Sequence, residues 1–183
     1  MGAFVAMELR HRHPERVASL TLVDGGFPVP PPPGLTPDNV EVAFADRIGR
    51  LGRRWESVDA YLEYFCSTTG ILLEPQDPLL RHYLEHDLRD GMVRLSPEAL
   101  LDDGRDTFFG DVSWRDAGVP VRWTHAEWSI GADSPPMYPA DAVERYAPHC
   151  VDVVALDRLD HAGSIMTRRG ARATAALLRK AIG

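Results

Sequence analysis

His161 is the side chain best placed to move protons. It lies in the run Leu159-Asp160-His161-Ala162-Gly163, after an apolar stretch and ahead of a long helical pattern. An imidazole there can face a cleft and exchange protons near neutral pH, although a lone histidine can equally be structural. Asp133 strengthens the chemical reading, because it stands one helix and one strand earlier, in a loop with Gly131. That separation is about one βαβ unit, which sets two carboxyl-end loops side by side. A carboxylate beside a histidine fixes its tautomer and stabilises its protonated form. The plainer use of Asp133 is a turn before Ser134-Pro135. Asp24, followed by Gly25-Gly26, is the alternate acid, or else simply ends a strand. Spacing and loop geometry favour Asp133.

Other polar residues carry weaker signals. His82 and His86 stand four apart on a predicted helix with Asp87 adjacent, but no third ligand is identifiable and Glu85 does not complete an H-E-x-x-H pattern. A solvated helix face is expected there, and no metal or organic cofactor is implied. His11 and His13, with Arg10 and Arg12, suit the negative end of a helix. Phe27, Trp128, Met137 and Tyr138 flank the candidate loops and are the candidate residues of an apolar substrate pocket.

The elements that must hold these residues follow from periodicity. Gly2 to His13 reads as a helix without an N-cap, stopped by Pro14. Val17 to Val23 (VASLTLV) reads as a short buried strand ending at Asp24-Gly25-Gly26. Phe27 to Gly34 (FPVPPPPG) is a stiff proline connector with no flanking Arg or Lys to make it a recognition ligand. From Thr36 to about Phe109 the pattern is helical without strand alternation, with starts at Thr36-Pro37, Ser57, Asp77-Pro78 and Ser96-Pro97. In this segment Trp55, Tyr61, Tyr64 and Phe65 are expected to form a core, the alternative being that some of them line a pocket. Strand patterns return at Val119 to Glu127 and at Cys150 to Leu156, separated by a helix over Ala140 to Tyr146. Ser164 is expected to cap a final helix reaching about Ile182. Strands alternating with helices predict an α/β fold with a mainly parallel sheet covered on both faces, and chemistry at the strands' carboxyl ends.

Composition bounds the class. The 183 residues are 44% apolar and 26% charged, enough for one ordinary domain with a real core. A net charge of −7 argues against a nucleic-acid footprint and gives no pull toward anionic membranes. Cys66 and Cys150 alone make neither a disulfide framework nor a zinc cage. No apolar run reaches bilayer-spanning length, and Glu8, Arg10 and Arg12 interrupt any signal-like stretch at the start. A soluble, cytoplasmic protein acting on a small molecule is expected, with neither nucleic acid nor membrane as partner.

The ordered set of these features resembles the α/β-hydrolase family, entered partway through. Met1-Gly2-Ala3 leading into an apolar helix, then His13-Pro14-Glu15-Arg16-Val17, then LTLVDGG, looks like the run that follows that family's G-x-S-x-G nucleophile elbow. Met1 and Gly2 match the last two positions of a Ser-Met-Gly elbow, so the serine would precede Met1. The resemblance implies residues 1–27 and 111–183 as the C-terminal portion of the hydrolase core, with the last three strands of its sheet. Residues 28–110 would be an inserted helical lid. Asp133 would be the acid and His161 the base.

It also implies that the chain as written lacks nucleophile and oxyanion hole and is inactive, a start placed at an internal methionine being the expected cause. Ser129 and Ser164 are not in a G-x-S-x-G turn and are poor substitutes. The edge of Val17 to Val23 would be open and apolar, so self-association is expected. Two rival readings remain: a non-catalytic binding module, and a member with an aspartate nucleophile, of the dehalogenase or epoxide-hydrolase kind.

Overall fold

The computed structural model describes residues 1–68, 72–74, 76–110, 114 and 117–182. A three-stranded parallel sheet organises it: β1 (Leu20–Val23), β4 (Val121–Trp128) and β5 (Asp152–Asp160), in the order β1-β4-β5. Between β1 and β4 runs the helical segment: α2 (Val40–Ala43), α3 (Ala45–Leu51), α4 (Val58–Thr68), α5 (Pro78–Asp87) and α6 (Pro97–Phe109). It also contains a hairpin, β2 (Leu88–Arg89) with β3 (Met92–Val93). The remaining helices are α1 (Gly2–Arg12), α7 (Ala140–Tyr146), α8 (His161–Met166) and α9 (Arg168–Ile182).

Strand alternation sorts the two faces of the sheet. Leu20, Leu22, Val121 and Trp123 share one apolar cluster with Met7 of α1 and with Ala142 and Tyr146 of α7. The intervening residue Arg122 points the other way, where its guanidinium donates to the Lys180 carbonyl of α9 at 3.3 Å. Helices therefore cover both faces, as a parallel sheet requires.

A second apolar cluster lies in the helical segment: Leu51, Trp55, Tyr61, Phe65, Leu80, Leu84 and Val93, with Met166 of α8 packed against it. Helix starts there are written in caps. The Asp77 carboxylate accepts from the Leu79 N–H at 2.9 Å, and the Ser96 and Ser57 hydroxyls accept from Ala99 and Ala60. The proline connector is tied to the core rather than free. Tyr138 and Tyr146 donate their hydroxyls to the Phe27 and Pro28 carbonyls at 2.8 and 2.9 Å, and Val29 is buried.

Several expected elements differ in extent. β1 begins at Leu20 rather than Val17, because Pro14–Arg16 form a 3-10 turn and pairing starts where the Leu20 N–H reaches the Pro120 carbonyl. β5 runs on to Asp160, past a register shift opposite Ala126 and Trp128. The helix expected from Thr36 breaks into a 3-10 turn at Pro37–Asn39, then α2 and α3. The β2–β3 hairpin departs from the all-helical expectation. Its turn is Asp90-Gly91, both with positive φ (52° and 76°), the two-residue geometry that Asp-Gly favours.

Ser164 does not start the last helix. Asp160 caps α8 by accepting from the Gly163 N–H at 2.7 Å, while the Ser164 hydroxyl donates back to the His161 carbonyl at 2.6 Å. The chain then breaks at Thr167 before α9.

Candidate active site

Asp24 follows β1 with φ of 45°, a left-handed conformation that Asp tolerates better than most residues. Its backbone N–H donates to the Thr124 carbonyl at 2.8 Å, continuing the β1–β4 ladder for one more residue. Its carboxylate is fully buried and both oxygens are engaged. Oδ1 accepts from the Ala126 N–H at 2.9 Å, and Oδ2 lies 2.7 Å from His161 Nδ1. His161 is the first residue of α8, with its N–H bonded to the Ser129 carbonyl at 3.2 Å. Its side chain is 41% exposed. The imidazole is thus anchored through Nδ1 to a buried carboxyl group while its side chain stays partly exposed.

The structure brings His161 to Asp24, the alternate acid, and not to Asp133. Asp133 is exposed with φ of 62°, and no hydrogen bond or ion pair joins it to His161. Its loop is occupied in turning: Ser129 N–H donates to the Pro135 carbonyl, and Ser134 Oγ both accepts from Ile130 N–H and donates to the Gly131 carbonyl. That is the turn use of a loop aspartate. β4 lies beside β5, as the spacing implies, but the loop after β4 leaves Asp133 exposed, and Asp24 instead reaches over the carboxyl end of β4 by bonding Ala126 with one oxygen and His161 with the other.

The apolar candidates divide. Phe27 and Tyr138 are core residues, 0% and 2% exposed, and cannot line a pocket wall open to a ligand. Phe27 stacks on Tyr146 (4.9 Å between centroids, 7° between planes) and meets Trp123 edge-on at 4.9 Å. Trp128 and Met137 are half-buried, and Met137 packs on the sheet-side cluster. His82 is 85% exposed beside Glu85, and among the described residues no group of three metal-ligating side chains converges. Both cysteines are free, and burial pushes the Cys150 thiol up to about 11. No helix among the described residues is long and apolar enough to cross a membrane.

Asp160 is the site residue that sequence reasoning passed over. It is fully buried, and its carboxylate accepts three backbone N–H groups: Gly163 at 2.7 Å, Gly131 at 2.9 Å and Leu72 at 2.9 Å. One side chain therefore joins the histidine loop, the loop after β4 and the helical segment. The Gly163 bond is an N-cap signature readable in sequence; the other two partners are not local.

Two further titratable groups border the pair. Burial lowers the pKa of His125 on β4, with the charges of Asp24 and Asp157 opposing that shift. Burial, then the Asp24 charge, raises the Tyr138 phenol well above its ordinary value, so it stays a hydrogen-bond donor to Phe27.

No family model matches the sequence, and no curated protein matches it. The solved structures similar in fold include two hydrolytic enzymes. E-2-(acetamidomethylene)succinate hydrolase aligns with a TM-score of 0.67 and 18% identity over 100% of this chain and 64% of its own. An esterase of M. tuberculosis aligns with a TM-score of 0.57 and 16% identity over 98% of this chain and 59% of its own. The chain therefore spans less than two thirds of the length of either. The parallel β1-β4-β5 sheet, its helices on both faces and the histidine loop after its last strand make this an α/β-hydrolase fold.

Proposed function

We propose that the chain carries the acid–base half of a hydrolase acting on acyl bonds of a small ester or amide. The observation that carries this reading is the 2.7 Å contact between His161 Nδ1 and the buried Asp24 carboxylate. With Nδ1–H donated to Asp24, Nε2 keeps its lone pair and accepts the proton of an attacking hydroxyl. The buried carboxylate stabilises the imidazolium that results, and the same proton then passes to the leaving group. Asp160 holds the histidine loop in register, and Trp128 is the half-buried aromatic available to an acyl group. The two similar structures are those of a hydrolase and an esterase, which supports the class of reaction.

The nucleophile is assigned to a serine directly ahead of Met1, where the resemblance puts the Gly-x-Ser-x-Gly elbow. Residues 1–183 contain no such run and by themselves should not turn over esters. The test is hydrolysis of p-nitrophenyl acetate by residues 1–183 and by a longer product read from in-frame codons ahead of Met1. Turnover only in a product carrying that serine, abolished by His161→Ala, supports the reading. Turnover by residues 1–183, or a longer product indifferent to His161→Ala, overturns it.

A further inference from the structure

His161 opens α8, a helix of six residues, and a helix that short does not hold its own shape in water. What holds it lies at its two ends. At the first, one Asp160 oxygen caps Gly163 and the other takes the Leu72 N–H of the helical segment. A Cβ on Gly163 would lie 2.9 Å from the Asp160 carboxylate and 3.6 Å from the Leu72 carbonyl oxygen. The segment's backbone therefore rests directly on the first turn of α8. Toward the other end, Met166 packs against the segment's apolar cluster.

At the second end the chain turns a corner at Thr167, whose φ of −111° and ψ of 155° are extended. The Thr167 hydroxyl donates to the Gly163 carbonyl at 2.6 Å and accepts the Gly170 N–H at 3.1 Å, so one side chain ties α8 to the first turn of α9. Gly170 sits so close that a methyl group there would collide with the Gly163 and Ser164 carbonyls. Asp160 to Gly170 is thus one stiff corner. From it Arg168 reaches back to the helical segment, with Nε 3.5 Å from Oδ2 of Asp77. Asp77 is buried, and its Oδ1 is already occupied in capping α5 at Leu79. A buried carboxylate needs a countercharge, and the Arg168 guanidinium supplies it. Leu72 and Asp77 stand five residues apart, so both ends of α8 are held by one short stretch of the segment.

We propose that Arg168 and Asp77 are positioning residues for His161: their ion pair clamps the far end of the α8 corner to the helical segment and so keeps the imidazole opposite Asp24. The bearing on catalysis rests on the relay reading above; the clamp itself does not. The experiment is hydrogen exchange by NMR on residues 1–183, read at the His161 Nδ1–H and at the Gly163 amide, with the β4 amides as internal reference. Arg168→Gln removes the charge at an exposed position, and Asp77→Asn removes its partner while keeping an N-cap for α5.

Each variant is expected to speed exchange at both sites about fivefold, the size of one half-exposed ion pair, with the β4 amides unchanged. Arg168→Lys, which keeps the charge, is expected to stay near wild type. The double variant should add nothing to either single one, because both break the same pair. Gly163 exchange that neither variant changes overturns the clamp. So does a rise matched throughout β4, which would mean a loss of overall stability. A Gly163 amide that responds beside an Nδ1–H that does not overturns the positioning role. A responding Gly163 amide with no slowly exchanging Nδ1–H in the wild type strikes the relay reading and leaves the clamp standing.

Discussion

Asp24 and His161, separated by 137 residues, meet at 2.7 Å across the carboxyl end of the central strand. The contact needs three things at once: β1 parallel to β4, β5 on the far side of β4, and an Asp24 backbone turned left-handed so that its carboxylate spans the strand end. The Ala126 N–H takes one carboxylate oxygen and so aims the other at the imidazole. A buried carboxylate with both oxygens occupied is fixed in place, which is what a tautomer-setting partner has to be.

The first prediction separates the two acids. In residues 1–183 a downfield imidazole Nδ1–H proton resonance is expected in the wild type and in Asp133→Asn, and is expected to vanish in Asp24→Asn. In any product that hydrolyses esters, Asp24→Asn should lower kcat by about 10⁴-fold, as loss of the orienting acid does in serine proteases, with Asp133→Asn close to wild type. The reverse pattern would return the role to Asp133.

Asp160 tests whether one buried carboxylate holds three loops together. Asp160→Ala leaves the Gly163, Gly131 and Leu72 N–H groups without their acceptor. It should cost about 3–5 kcal/mol in urea unfolding, the range for a buried, multiply bonded charge. A loss under about 1 kcal/mol, the size expected of an ordinary surface cap, would show that water replaces the carboxylate without penalty.

His125 gives a pH dependence whose sign is set by burial. Its pKa is lowered from 6.5 in the fold, so the unfolded chain binds this proton more readily than the native state does. The contribution is fully present above the unfolded value and is lost as pH falls through 6.5 toward the folded value. Urea midpoints between about pH 7.5 and 5.5 should fall more steeply for the wild type than for His125→Gln. Equal slopes would remove His125 from the account.

Self-association is expected through the outer side of β1, which among the described residues pairs with β4 alone. The Leu20 N–H faces β4, so by alternation Thr21 and Val23 turn their backbone groups outward. On the neighbouring α1, Met1, Val5 and Leu9 recur every fourth residue and are 44%, 60% and 45% exposed. An unpaired edge beside an apolar stripe invites a second copy. Light scattering should show mass rising with concentration, and Val5→Lys with Leu9→Lys should suppress it. A monomer of constant mass at every concentration would contradict this.

Much of the architecture was legible in the residues themselves. Apolar runs marked all three strands of the main sheet, Ala140–Tyr146 appears as read, and the caps at Ser57, Asp77 and Ser96 start helices where their chemistry says they should. These signals act over four or five residues, within reach of local periodicity and capping. Asp90-Gly91 carried a hairpin signal too, but strands of two residues each leave no alternation to find.

Partner choice was of another kind. Whether His161 meets Asp24 or Asp133, whether Phe27 and Tyr138 face a ligand or a core, and whether Asp160 binds one loop or three depend on how the strand-end loops pack on one another. Those relations are long-range, set by how the two apolar clusters pack around β4. Local chemistry supplied the candidates, and only the packed sheet could choose among them.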